Sequence, residues 1–172
     1  MVRHLTALLD TDPDAVNRIV HLGHLNGVYG PPLLALVEDY GFEDAHLPEV
    51  ARLFIDRGAD VNIADSANRT ALQQALAKRQ TCEQNGVETR YCDAVIQLLI
   101  DRGAEVDLFA AIGLSDTETV QRLLAENPAV ATTPRVPRPH PGESPGWHEA
   151  LTTTPAQFAE RFGRPEIMAL LL

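Results

Sequence analysis

The residues best suited to chemistry are two cysteines and a scatter of histidines. Cys82 and Cys92 lie in one stretch without a CxxC pair, a spacing that points first to reduced structural or surface thiols, then to a local disulfide, and last to a metal or redox role. Cys82 becomes a nucleophile only if a base stands beside it. His46 is the candidate, with Asp93 nearby, should the two segments that carry them meet in a cleft. That pair defines one alternative reading, an enzyme or enzyme component, although the sequence identifies neither an oriented base nor oxyanion donors. His21 and His24 stand at helical spacing, and His4 is a possible neighbour, but two histidines without an obvious third ligand are weak evidence for a metal. No P-loop, dinucleotide fingerprint or HExxH segment occurs. The expectation is a noncatalytic chain with no metal and no cofactor.

Composition narrows the partner. The 24 acidic residues outnumber the 14 basic ones, leaving a formal charge of -10, which opposes phosphate backbones and anionic membrane surfaces. Nucleic acid and membrane are therefore not expected partners. No apolar run approaches the roughly 18 residues of a membrane span, and the first residues lack the apolar stretch of a secretory leader, so the cytoplasm is the expected compartment. Apolar residues make up 45% of the chain and aromatic ones only 5%. The core must be built of Leu, Ala, Val and Ile, which suits close-packed helices.

The elements that would position these residues recur along the chain. Gly58-Ala59-Asp60-Val61 returns 45 residues later as Gly103-Ala104-Glu105-Val106, and each copy closes an apolar helical run. Leu5, Leu8 and Leu9 share one helical face, and Asp12 and Pro13 open a second segment with Val16, Ile19 and Val20 turned inward. Helices then follow from Pro31-Pro32, after Leu47, from Thr70, from about Asp93 to Asp101, and across Leu108 to Ala129. Asn68 is suited to a left-handed turn residue, and Gly58 to the left-handed end of a helix. Pro128–Gly146 is a proline-rich connector that excludes a central strand and an unbroken helix. Beyond it, Thr154-Pro155 and Pro165 start the last two helices, and Leu170, Leu171 and Leu172 either pack back or seal the end against another chain.

With these segments in view, the chain resembles the ankyrin-repeat family. The likeness rests on Thr70-Ala71-Leu72-Gln73-Gln74-Ala75 and Thr154-Pro155-Ala156-Gln157-Phe158-Ala159 at helix starts, and on the two Gly-Ala-acid-Val segments at unit ends. It implies an all-α, ankyrin-like solenoid of stacked helix-turn-helix units, with residues 1–172 forming one divergent domain of about five units. The family's Thr-Pro-Leu-His histidine is missing. Gln73 and Gln157 stand in its place and can donate an amide proton, whereas Leu34 cannot.

The resemblance also places the expected binding surface. Such arrays bind proteins through projecting turns and first helices, which here carry Asp60, Asn62, Asp65, Asn68, Arg69, Gln73, Gln74 and Lys78, with Asp65 and Arg69 as the exposed candidates. Against the family's spacing of about 21 residues from helix start to closing glycine, two units carry extra segments around Tyr40–His46 and Gln80–Tyr91. Tyr40, Phe42 and Tyr91 would offer contact area there, beside acidic side chains. The expected function is a noncatalytic protein-protein interaction module, its partner a protein with a basic or mixed-polarity surface. The basic connector, with Arg135, Arg138 and His140, is expected to lie across the acidic array. The chain is expected to be a monomer; the remaining alternative is a self-assembling structural protein joined end to end.

Overall fold

A computed structural model describes residues 2–21, 29–39, 45–138 and 152–172. The fold is all-α, with nine α-helices among the described residues. These are α1 (Val2–Thr11), α2 (Pro32–Asp39), α3 (Leu47–Asp56), α4 (Ala71–Gln84) and α5 (Arg90–Asp101). They continue as α6 (Leu108–Leu114), α7 (Thr117–Glu126), α8 (Pro155–Arg161) and α9 (Pro165–Leu171). Short 3-10 turns cover Pro13–Asn17 and Pro128–Ala131. A two-residue antiparallel pairing sets Val20–His21 against Tyr29–Gly30.

Periodicity explains the burial. Leu47, Val50, Ala51 and Phe54 bury one face of α3, and Cys92, Val95, Ile96 and Leu99 do the same on α5, both following the three-and-four spacing of a helix with one apolar stripe. Each of these helices ends on a left-handed glycine, Gly58 at φ +89° and Gly103 at φ +86°. The next amide then reaches back five residues, Ala59 to Phe54 at 3.0 Å and Ala104 to Leu99 at 2.9 Å, so the last carbonyls are satisfied as the chain leaves the helix. In the packing, α4 touches α2, α5 and α6, α6 touches α7 and α8, and α3 touches α5. Small residues let the inner helices close up: Ala75 is buried on α4, and Gly113 of α6 faces Leu76.

Three expectations need correction. Asp12 makes no cap bond, and the segment after it is a 3-10 turn instead of a full helix. Asn17 ends it by bonding to a later turn, the chain turns extended at Arg18, and Ile19 and Val20 are left 46% and 38% exposed. The added residues after Gln80 do not form one long loop, because α4 continues through Gln84 and stops before Gly86, itself left-handed at φ +66°. No glycine or proline interrupts Lys78–Gln84, and burial of Cys82 anchors that turn. At the other end Leu171 packs inward, while Leu170 and Leu172 stay exposed.

The contact at Gly113 is a sensitive test of this packing. A Cβ there would stand 3.0 Å from Leu76 Cδ1 and 3.2 Å from its Cβ. Gly113→Val is expected to destabilise the fold by about 1–3 kcal/mol, as overpacking does, read as a lowered urea midpoint with unchanged slope.

Candidate binding face

Two asparagines tie successive turns with the same pair of bonds. Asn17 Nδ2 donates to the Gly58 carbonyl at 2.9 Å while its Oδ1 accepts from Asp60 N–H at 2.8 Å. Asn62 Nδ2 donates to Gly103 at 3.0 Å, and its Oδ1 accepts from Glu105 N–H at 2.8 Å. Asp60 also accepts from Asn62 N–H at 2.8 Å, which fixes its carboxylate within the turn. Behind these turns, the arginine that follows α3 pairs with an acid on α1, Arg57 with Asp10, and the arginine that follows α5 pairs with one on α3, Arg102 with Asp56. The outcome is a fixed edge on which the side chains of Asp60 and Glu105 are exposed.

Next to that edge the turn before α4 is closed by a buried carboxylate. Asp65 Oδ1 accepts from Arg69 N–H at 2.8 Å, and Oδ2 takes Arg69 Nε at 2.9 Å and Gln74 Nε2 at 3.4 Å. Asn68 holds the left-handed conformation expected of it, at φ +59°. Thr70 then caps α4 in a reciprocal box with Gln73. Gln73 Nε2 continues to Asp107 Oδ2 at 2.7 Å, so the glutamine bonds the start of α4 to the residue that caps α6.

The surface expected here is therefore not free. Asp65 is 2% exposed, and its side chain is spent on Arg69 and Gln74, which corrects its reading as an exposed recognition group. Gln73, Gln74 and Lys78 are buried as well, Lys78 donating from Nζ to the Val37 carbonyl at 2.9 Å. Asn68 and Arg69 are half-buried.

What covers Gln73 is the start of the proline-rich connector. Arg135 pairs with Thr153 through two backbone bonds of 2.9 and 3.2 Å, and Arg138 N–H donates to the Ser66 carbonyl at 2.6 Å. The described part of the connector thus runs from beside the start of α8 to the turn before α4. Arg135 is buried, with Nη1 donating to Gln73 Oε1 at 3.1 Å and its guanidinium 4.9 Å from the Phe109 ring and 5.4 Å from the Phe158 ring. The two rings meet edge to face at 5.4 Å. Burial first, and then the neighbouring Arg69, push the Arg135 pKa down to about 10, with Asp107 and Asp65 acting the other way. Sequence reasoning saw Arg135 as part of a basic stretch; its seat between rings from α6 and α8 has no sequence signal.

The loop candidates fare differently. Tyr40 and Phe42 lie outside the described residues, as do His24 and His140. Tyr91 sits on α5, half-buried, and its hydroxyl accepts from Arg90 Nη2 at 2.6 Å. Cys82 and Cys92 are free thiols, both buried, with sulfurs 3.9 Å apart. Burial, followed by Cys82, raises the Cys92 pKa from 9.0 to about 12, which opposes thiolate formation. Cys82 is fully enclosed while His46 is exposed and faces Glu49 at 3.5 Å, so these groups do not line an open cleft. A G-x-S-x-G elbow was not expected in this chain, yet Gly142-Glu143-Ser144-Pro145-Gly146 has its spacing; these residues lie outside the described ones. Among the described residues no group of three or more His, Cys, Asp and Glu is placed to hold a metal, and no helix is long and apolar enough to cross a membrane. No family model, curated protein or solved structure matches the chain.

Two outcomes follow from this geometry. Asp65→Ala strands a half-buried guanidinium and is expected to cost about 3–5 kcal/mol, whereas Glu105→Ala at the exposed edge stays within about 0.5 kcal/mol, both by urea unfolding. In the native protein both buried thiols are expected to react with Ellman's reagent at pH 8 much more slowly than in denaturant, because the folded chain shields them and burial opposes the Cys92 thiolate. Since the folded pKa is the higher one, stability is also expected to fall as pH rises from 9.0 toward about 12.

Proposed function

We propose that the chain is a noncatalytic protein-interaction module, an ankyrin-like array in which stacked helical pairs hold a row of turns in register for a protein partner. The observation that carries this reading is the repeated asparagine bridge, Asn17 to Gly58 and Asp60, then Asn62 to Gly103 and Glu105. The two bridges lie 45 residues apart, the same interval as the two Gly-Ala-acid-Val segments. Units joined this way bury their apolar sides against each other, which leaves the turn tips as the accessible surface. Asp60 and Glu105 make those tips acidic, so the fitting partner presents basic or mixed-polarity groups.

The binding surface belongs to the acidic turn edge more than to the first helices, since Gln73, Gln74 and Lys78 are enclosed. Fold-level likeness alone does not assign a function; the exposed, rigidly spaced carboxylates give the reading its chemistry. Burial of Cys82 weighs against the thiol-enzyme alternative. A cytoplasmic setting is part of the proposal and agrees with the free thiols of Cys82 and Cys92.

A photocrosslinking residue placed at Asp60 or Glu105 tests this in native extract, with Gln97 on the exposed side of α5 as the comparison position. A discrete protein adduct from the turn positions and none from Gln97 is expected, and the double variant Asp60→Lys, Glu105→Lys should weaken the captured partner by about tenfold or more, as reversed charges do across an interface. Equal capture from both faces, or unchanged affinity in the double variant with helicity intact, overturns the reading.

A further inference from the structure

The Arg135 contact is built like a recognition site. Its guanidinium lies over two aromatic rings, the side-chain oxygen of Gln73 accepts from it, and its backbone forms an isolated antiparallel bridge with Thr153, with Arg138 bonded further along to the Ser66 carbonyl. Those three features are what a site for an arginine on an extended segment requires: ring faces for the planar cation, an acceptor for its N–H groups, and an edge that fixes the segment's direction.

The present occupant is held by few bonds. Arg135 Nε has no hydrogen-bond partner although it is buried. Among the described residues no carboxylate forms an ion pair with the guanidinium; Asp65 bonds Arg69 and Gln74, and Asp107 bonds Ala110 N–H and Gln73. Pro134 and Pro137 flank the arginine and have no N–H to offer, so backbone pairing with the α8 side stops at the single Arg135–Thr153 bridge. A residue whose task was only to fill the core would not need a desolvated cation with an unmet donor, because an apolar side chain fills such a space with less desolvation cost.

We propose that the cradle formed by Gln73, Phe109 and Phe158 reads an arginine on an extended segment of a protein partner, and that Arg135 occupies it in cis as a competing internal ligand. The proposal deepens the interaction-module reading and rests on it: the acidic turn edge attracts a basic partner, and the cradle specifies one side chain of that partner. The tethered strap competes at an effective concentration on the order of mM, so a partner segment must either exceed that or engage the turn edge at the same time. The site therefore responds to avidity and rejects isolated arginines.

The test uses the full chain and a fluorescein-labelled synthetic peptide of the strap's own sequence, Thr-Pro-Arg-Val-Pro-Arg (residues 133–138), followed by anisotropy. Arg135→Ala opens the cradle and is expected to bind this peptide at least about tenfold more tightly than the wild-type chain does. The same peptide with its first arginine changed to alanine should lose that binding. Arg135→Lys keeps the cation and the aliphatic stem, so it remains folded if Arg135→Ala does not, and it should gain peptide affinity by about threefold through loss of the planar fork. A folded Arg135→Ala chain that binds neither peptide, or both equally, overturns the proposal, and so does an Arg135→Lys chain with no gain where the alanine variant is unfolded. Crosslinks at Asp60 and Glu105 do not pass through the cradle. Their presence without peptide binding removes the arginine site and leaves the interaction module standing, while their absence removes the module.

Discussion

A single buried carboxylate, Asp65, sets the geometry of the middle of this molecule. Its two oxygens close the turn around Arg69 and hold Gln74, and the turn in turn presents Thr70 as the cap of α4. A charge with no exposed side-chain surface is tolerable only when fully bonded, so the position of Arg69 and the left-handed Asn68 are not free to vary. Gln73 inherits its place from that cap. From there the chain of contacts runs to Asp107 on the next turn and to Arg135 on the connector.

The polar network and the apolar core divide the task of joining the helices. Leu72, Ala75 and Leu76 on α4 supply the area that α2 and α6 cover, and burial of such side chains contributes roughly 1.5–3 kcal/mol each for the larger ones. That contribution is nondirectional. Register comes from the asparagine bridges and from the Gln73–Asp107 bond, which satisfy backbone and side-chain groups at fixed offsets. The exposed helix-end pairs Arg57–Asp10 and Arg102–Asp56 add little by comparison, as solvent screens them.

Much of the helical layout was legible from residue pattern. Val50 and Phe54, and Val95, Ile96, Leu98 and Leu99, read directly as buried, Gly58 as a left-handed end, and Thr70 and Thr154 as caps, whereas Leu53 and Ile55, read into the same stripe, are only partly buried. The misreadings share a cause. Ile19 and Val20 looked buried because they are apolar, but the Asn17 bond redirects the chain before them; Asp65, Gln74 and Lys78 looked exposed because they are polar, but each found a buried partner. Local composition reports a side chain's solvation preference, not the partner that can override it.

The sequence by itself determined the ends of those helices that carry a capping threonine or a closing glycine, because capping and glycine handedness are local properties carried within one or two turns. It also determined the sign of the surface, since a formal charge of -10 follows from counting. Only the tertiary structure decided which of the polar residues remain available. Arg135 lies 62 residues from Gln73 along the chain and meets two rings from different helices; such a seat exists only once α6 and α8 have packed, and nothing in the spacing of either segment encodes it.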